Sequence, residues 1–167
     1  MKIDEVDKLF LLTGIAKKTS LKEAFEIVNK EKNSYVLLPE LRPYLIGLNY
    51  HAPILKETGI PFVYITDNMA GYLFEKRKIK KTIFFYEKRT DKGLLGVTGS
   101  LYFCLLSAIH KVPIEPLPGG RVKLDEFLNR NASDIDGTAL ITNEEPENYI
   151  IPPMRELIRW DILWQEK

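Results

Sequence analysis
The amino-acid sequence predicts an α/β protein with a doubly wound, mostly parallel sheet and helices on both of its faces. Apolar runs of strand length alternate along the chain with segments whose apolar residues recur at helical spacing. Such alternation is typical of βαβ units, in which crossover helices bury a parallel sheet from both sides. The 167 residues suffice for one domain with a sizeable core. We therefore expect residues 1–167 to form a single domain.

Three predicted strands, each followed by a predicted helix, fill the first half of the chain. The strands are the apolar runs at 8–14, 34–40 and 61–66. The first helix, over 19–32, has one apolar face, formed by Leu21, Ala24, Phe25 and Val28. Ser20 at its start has the spacing to Glu23 of a capping box. A second helix over about 45–55 and a third reaching about Lys76 follow the next two strands.

The second half continues the alternation. A fourth strand over 80–88 leads into a long predicted helix from Leu95 to about Lys111. The closing helix has Pro152 or Pro153 in its first turn, where proline is favoured. The remaining elements are predicted as a strand at 112–118, a helix at 121–130, a strand at 138–144 and this closing helix at 152–163.

The composition is that of a globular protein without a membrane partner. Hydrophobic residues make up 45% and charged residues 28%, and the formal net charge is +1, so no overall field favours nucleic acid or membrane. No apolar stretch approaches the roughly 20 residues that a membrane helix requires, and the acidic N-terminus is not a signal peptide. The single cysteine, Cys104, suits a reducing compartment. We expect a cytoplasmic protein.

No metal or cofactor is indicated by the sequence. His51 and His110 lack cysteine or acidic partners at ligand spacing, so we expect no metal site. The basic run at 75–81 could form a nucleic-acid patch. It is more typical of the basic C-terminal end of a helix, which the helix dipole favours, so nucleic acid is the less favoured partner.

Polar residues at the ends of the predicted strands form a candidate site. Asp67 and Asn68 come directly after the third strand, Glu40 and Arg42 follow the second, and Glu87 follows the fourth. In open α/β sheets, ligands bind at the carboxyl ends of the strands. Carboxylates beside an arginine suit a small polar ligand with hydroxyls and an anionic group. The alternative is that Asp67 or Asn68 caps the following helix.

A glycine-rich segment before the long helix is the second candidate. Gly93, Gly96 and Gly99 recur every third residue, and Thr98 and Ser100 lie beside the last of them. Glycines let a ligand approach the backbone, and a helix N-terminus offers free N–H groups to an anion. The segment is neither a Walker loop nor a dinucleotide fingerprint. The alternative is that these glycines serve a turn and close helix-to-sheet packing.

Several stretches together resemble one family. It joins methylthioribose-1-phosphate isomerase, ribose-1,5-bisphosphate isomerase and the α, β and δ regulatory subunits of eukaryotic initiation factor 2B. The resemblance covers most of residues 9–160 and implies a Rossmann-like domain that dimerises. We expect the helical domain that precedes it in the family to be absent. The matching stretches are ELRPYLIGL (40–48), GIPFVYITDNMAGYL (59–73), GVTGSLYFCLLSAIHKVPIEPLP (96–118) and NYIIPPMRELI (148–158).

The chain departs from the isomerases where the resemblance places their catalytic groups. No cysteine follows LLTG, and Glu87 stands where the catalytic aspartate is expected. Gly96 and Val97 replace an Asn-Lys pair, which removes a lysine expected near the substrate phosphate. If the chain is an enzyme, the resemblance implies Asp67 and Glu87 as catalytic residues. For ligand binding, the resemblance implies Arg42, Asp67, Asn68 and Gly99, and the glycine-rich segment adds Gly96, Thr98 and Ser100 to the predicted set.

These departures favour a truncated, non-catalytic domain, similar to initiation factor 2B, that acts in translation initiation by protein association. Whether it retains a sugar-phosphate or nucleotide site is left open. The alternative is an aldose–ketose isomerase that acts on a phosphorylated pentose such as methylthioribose 1-phosphate. We expect a homodimer. A second protein or a phosphorylated small molecule is a further expected partner. Large apolar residues near the C-terminus either complete the core or form the dimer face: Ile158, Trp160, Ile162, Leu163 and Trp164.

Overall fold
A five-stranded parallel sheet forms the centre of the computed structural model, which describes residues 8–120, 122, 134–135, 138–139 and 153–164. The strands lie in the order β3-β2-β1-β4-β7, and every neighbouring pair is parallel. The predicted α/β fold is thereby confirmed. The five strands are β1 (Lys8–Gly14), β2 (Ser34–Pro39), β3 (Phe62–Ile65), β4 (Ile79–Tyr86) and β7 (Ile114–Pro118).

The sheet separates two apolar clusters, because successive side chains of a strand point to opposite faces. In β1, Leu9 and Leu11 belong to one cluster, and Phe10 and Leu12 belong to the other. All four side chains are buried. The central strands are therefore covered on both faces, which is why they read as continuous apolar runs in the sequence.

Two pairs of helices cover the two faces. Helix α1 (Lys18–Asn29) and the short α2 (Ala52–Glu57) pack on the cluster that contains Phe10. Helix α3 (Met69–Glu75) and α4 (Ser100–Ile109) pack on the opposite cluster. The sheet thus carries helices on both faces, as predicted.

The starts of two predicted helices differ in detail. Helix α1 begins at Lys18, so Ser20 lies inside it and donates its hydroxyl to the Pro118 carbonyl at 2.9 Å rather than capping the helix. The helix predicted over 45–55 begins as a π-helical turn at Gly47–His51 before α2. Gly47 is required there, because a Cβ at this position would lie 1.8 Å from the Pro39 carbonyl oxygen.

A small antiparallel sheet replaces parts of two predicted helices. Residues Gly93–Val97 form β6, which lies between β5 (Lys88–Arg89) and β10 (Arg155–Arg159). The helix predicted from Leu95 therefore begins only at Ser100, and the predicted closing helix is mostly strand, with a short α5 (Trp160–Leu163).

The glycines of β6 explain why this segment is a strand. A Cβ on Gly93 would lie 2.2 Å from the Ile158 carbonyl oxygen, and one on Gly96 would lie 2.6 Å from the Phe84 ring. Glycine is a poor helix former, and here it lets β6 approach its neighbours closely. A third apolar cluster results, made by Phe84, Leu94, Cys104, Ile158 and Leu163. Trp160 and Ile162 pack against it, so four of the five C-terminal apolar residues complete the core, while Trp164 is 59% exposed.

The two remaining predictions fall largely outside the described residues. Of the helix predicted at 121–130 only residue 122 is described, and of the strand predicted at 138–144 only its first two residues are described. They form β9 (Thr138–Ala139), paired with β8 (Asp134–Ile135). Within the described parts of the chain, no helix combines the length and apolar character needed to cross a membrane.

Candidate functional site
A cleft of about 720 Å³ opens at the carboxyl ends of β2 and β3, beside the start of α4. Its position follows from the topology, because parallel strands bring their C-terminal ends to one edge of the sheet. Its volume lies within the range of roughly 300–1,000 Å³ that is usual for small-molecule sites. The residues that line it are Glu40, Arg42, Thr66, Asp67, Asn68, Gly99 and Tyr102.

Asp67 connects β3 to the loop that follows β2. Its two carboxylate oxygens accept the backbone N–H groups of Leu41, at 2.9 Å, and Arg42, at 2.8 Å. These bonds hold Leu41 in a left-handed conformation with φ of 58°. Burial raises the pKa of Asp67, and the two backbone bonds oppose that rise. Asp67 therefore fixes the shape of the cleft as well as lining it.

The hypothesis that Asp67 or Asn68 caps the following helix is wrong. Helix α3 begins at Met69, and Asn68, at its N-cap position, makes no side-chain bond to the helix. The Asn68 side-chain oxygen instead accepts the Thr66 hydroxyl at 2.6 Å. Asp67 uses both of its oxygens on the neighbouring loop.

Glu40 and Arg42 form an ion pair in the wall of the cleft. The Arg42 Nε donates to Glu40 Oε2 at 2.7 Å, and Nη2 donates to Oε1 at 3.3 Å. The Glu40 side chain is buried, whereas Arg42 is partly open to solvent. This two-bond geometry fixes the guanidinium plane and neutralises the one cation among the lining residues.

Glu156 occupies the N-terminus of α4. Its carboxylate accepts the backbone N–H of Leu101 and lies near the N–H groups of Gly99 and Ser100. These are the free donors that a helix start offers to an anion. Burial raises the pKa of Glu156, while the backbone N–H groups of Leu101, Gly99 and Ser100 oppose that rise. The position expected to receive an anionic ligand is thus filled by a carboxylate of the chain itself.

The sequence alone did not indicate Glu156. It lies 55 residues beyond Leu101, in a segment that was predicted as helix. Only the pairing of β10 with β6 brings it to α4, with Glu156 opposite Gly96. No local spacing carries that information, because the contact depends on the strand register.

Of the predicted ligand-binding residues, Arg42, Asp67, Asn68 and Gly99 line the cleft. The structure places the other three away from the lining of the cleft. Gly96 packs on the Phe84 ring. Thr98 donates its N–H to the Met154 carbonyl and its hydroxyl to the Pro153 carbonyl. Ser100 is buried and donates to the Val97 carbonyl at 2.7 Å.

Glu87 also lies apart from the cleft lining. It follows β4 and accepts Arg155 Nε on one oxygen at 2.9 Å. Its other oxygen, Oε1, is buried and has no hydrogen-bond partner among the described residues. Glu87 thus joins the end of β4 to β10, the strand that carries Glu156. Of the two carboxylates predicted to be catalytic in an enzyme, only Asp67 lines the cleft.

Two other candidate groups are buried. Burial raises the pKa of the Cys104 thiol and disfavours its reactive thiolate. His51 is fully buried, accepts the N–H of Ala16 at 3.1 Å, and has a pKa lowered by burial to about 3. It therefore fixes the loop after β1 as a neutral ring. The described residues contain no group of three metal-ligating side chains.

The basic run at 75–81 does not form a uniform cationic patch. Lys80 pairs with Glu31, and Lys81 pairs with Glu115, each at 2.5 Å. The Lys76 ammonium lies 5.7 Å from the centre of the Tyr72 ring. Two of the lysines in the run are therefore neutralised by glutamates, and a third lies over an aromatic ring.

Comparison with known proteins matches one family model and a group of curated isomerases. The model of the initiation factor 2 subunit family matches residues 4–117. A methylthioribose-1-phosphate isomerase from Caldicellulosiruptor saccharolyticus is 37% identical over 83 residues, which make up 49% of this chain and 24% of the isomerase. The corresponding isomerase from Dehalococcoides mccartyi is 34% identical over 83 residues, 49% of this chain and 25% of the isomerase.

Solved structures share the fold over nearly the whole chain. The translation initiation factor eIF-2B subunit delta from A. fulgidus superposes with a TM-score of 0.71 at 17% identity, covering 94% of this chain and 50% of that protein. The 5-methylthioribose 1-phosphate isomerase from Pyrococcus horikoshii OT3 gives 0.69 at 13% identity, covering 96% and 50%. The chain therefore spans about half the length of these two structures.

Proposed function
Because the chain belongs to the initiation factor 2 subunit family, we propose that it is a non-catalytic member that acts by protein association, first of all as a homodimer. The observation that carries this proposal is an uncovered apolar surface on α3 and α4. We call it the α3/α4 face, and it consists of the exposed side chains Met69, Tyr72, Leu105 and Ile109.

The α3/α4 face is unusual for a solvent-facing surface. Helix α4 contains no charged residue from Ser100 to Ile109, and Ile109 is 72% exposed. A helix that is apolar all round is normally covered on every side. Large apolar groups that are exposed on two helices in contact with each other favour an interaction site. Both arguments favour a partner seated on these two helices.

The polar groups of the cleft support a non-catalytic role. Asp67 holds the neighbouring loop with both oxygens, and Glu156 holds the amides at the start of α4. Cys104 is the only cysteine in the sequence, and it is buried in α4. An acid or nucleophile that is already engaged or enclosed is poorly placed to act on a substrate.

The test is the solution mass of the protein, measured by light scattering after size exclusion, for wild type and Leu105→Asp. We expect a wild-type dimer and a monomeric variant, since an unpaired carboxylate in an apolar interface costs several kcal/mol, or about a hundredfold in affinity. Trp164→Ser is the matched control, because Trp164 is exposed but lies outside the α3/α4 face. A wild-type monomer that captures no partner would contradict the proposal, and so would a dimer that Leu105→Asp leaves intact.

The second candidate is an aldose–ketose isomerase that acts on a phosphorylated pentose such as methylthioribose 1-phosphate. It is favoured by the 37% identity to a curated isomerase over 83 residues and by the carboxylate of Asp67 in the cleft. The test is prolonged incubation with methylthioribose 1-phosphate and ribose 1,5-bisphosphate, followed by phosphorus NMR. Turnover that Asp67→Asn abolishes would establish this candidate, and unchanged substrate would remove it.

A further inference from the structure
The cleft and the adjoining start of α4 carry an excess of negative charge. Glu40 and Asp67 line the cleft, and Glu156 lies at the start of α4, where its carboxylate accepts the Leu101 N–H. Arg42 is the single cation among the lining residues, and it is paired with Glu40. Among the described residues, the cleft and the adjoining start of α4 thus contain three carboxylates and one guanidinium.

This charge arrangement disfavours a phosphate ester. The helix N-terminus normally attracts a phosphate through its free N–H groups, but here the Glu156 carboxylate occupies that position and accepts the Leu101 N–H. A phosphate that entered the cleft would add negative charge beside Asp67 and Glu40 without a free amide cluster to receive it. Like charges and missing donors are the features by which a site rejects a ligand class.

The rest of the lining fits an uncharged ligand with a flat ring and hydroxyl groups. Tyr102 is 43% exposed in the cleft wall, and its ring lies edge-to-face with the Phe103 ring at 5.1 Å between centroids. A fixed aromatic ring is a stacking platform for a planar ring. A carboxylate offers about four lone-pair positions, so Asp67, which lines the cleft and accepts one backbone N–H on each oxygen, can also accept ribose hydroxyls. Asn68 carries amide donors for ring acceptors.

We propose that this cleft binds a nucleoside that lacks its phosphate, with the base stacked on Tyr102 and the ribose hydroxyls directed to Asp67. The inference builds on the proposed non-catalytic role and adds a ligand class to it. Glu156 acts in this arrangement as a fixed internal anion that sets the preference for the unphosphorylated compound.

The test is calorimetric titration of the full chain with adenosine and with adenosine 5′-monophosphate. We expect adenosine to bind at least about tenfold more tightly, because a monophosphate places like charges within a few ångströms. We expect Tyr102→Leu to weaken adenosine binding by about tenfold or more, since stacking on an aromatic ring contributes that much. Tyr102→Phe is the control and keeps the platform, so its affinity should stay close to wild type. Absent adenosine binding, tighter binding of the monophosphate, or equal affinities of the leucine and phenylalanine variants would overturn the proposal.

Glu156→Gln tests the origin of the discrimination. Glutamine keeps an oxygen that can accept the Leu101 N–H but removes the charge, so the preference for adenosine over its monophosphate should shrink severalfold. A preference unchanged in this variant would overturn the role of Glu156.

Circular dichroism identifies any variant that fails to fold, and adenosine titration of Leu105→Asp separates ligand binding from association. If Leu105→Asp is monomeric and still binds adenosine, the two proposals stand independently.

Discussion
Replacing Gly99 by alanine tests the close approach between α4 and the loop after β2. Gly99 adopts φ of 101°, and a Cβ there would lie 2.8 Å from the Arg42 carbonyl oxygen. The backbone conformation alone costs an L-residue roughly 1–3 kcal/mol. The contact adds about 1–2 kcal/mol, because a backbone carbonyl cannot rotate away as a side chain can. We expect Gly99→Ala to lower the free energy of unfolding by about 2–5 kcal/mol.

Two further glycines separate the strain from the contact. Gly59 has φ of 70°, and no atom lies within 4 Å of where its Cβ would be, so Gly59→Ala should cost only the strain, about 1 kcal/mol. Gly71 lies inside α3 with the same open space, so Gly71→Ala should stabilise by about 0.5–1 kcal/mol. The three variants carry the same chemical change and differ only in their surroundings.

The assay is urea unfolding followed by the fluorescence of Trp160 and Trp164, with thermal unfolding as a second measurement. For a chain of this size, each kcal/mol corresponds to about 2–4 °C in Tm. Gly99→Ala should therefore unfold well below Gly59→Ala, and Gly71→Ala at or above wild type. A Gly99→Ala variant no less stable than Gly59→Ala would refute the close approach to Arg42.

Two further expectations concern pH. Burial raises the folded-state pKa of Glu156 above its ordinary value of 4.5, so stability should fall as pH rises from 4.5 through the folded pKa. Glu156→Gln should flatten that part of a stability–pH curve measured by urea unfolding, and an unchanged slope would contradict the assignment. His51 has the opposite sign: its pKa is lowered from 6.5 to about 3, so its contribution is present above pH 6.5 and is lost as pH falls towards 3, by roughly 3–5 kcal/mol. The same curve for His51→Gln should therefore fall less over that range than the wild-type curve, and equal falls would show that the buried ring does not control acid unfolding.

The strands and the location of the cleft could be predicted from the sequence because they depend on local patterns. The apolar runs of β1 and β2 are buried on both faces, so their composition alone identifies them. Asp67 comes shortly after the end of β3, and Arg42 lies in the loop after β2. A parallel sheet brings the ends of its strands, and therefore both residues, to one edge. Topology then places them in one cleft without knowledge of any side-chain contact.

Features that depend on strand register could not be predicted in this way. The segment at Gly93–Val97 has apolar residues that also fit a helix, and only its pairing with Arg155–Arg159 decides for a strand. The partners of Asp67 lie 25 and 26 residues away, and Leu101, a partner of Glu156, lies 55 residues away. Local propensity suggested a cap for Asp67, but the nearby loop amides compete more successfully for its oxygens.

The long separation between β6 and β10 has a consequence for how the chain acquires its structure during synthesis. Leu94 pairs with Ile158, so this sheet and the anion at the start of α4 form only after residue 158 has left the ribosome. Until then the amides of Gly99, Ser100 and Leu101 are without Glu156, whereas β1 to β4 and their helices are already available to fold. Contacts of such high sequence separation form slowly, and domains generally fold as their segments emerge. We therefore expect the parallel sheet to form first and the start of α4 to be closed later, when β10 is translated.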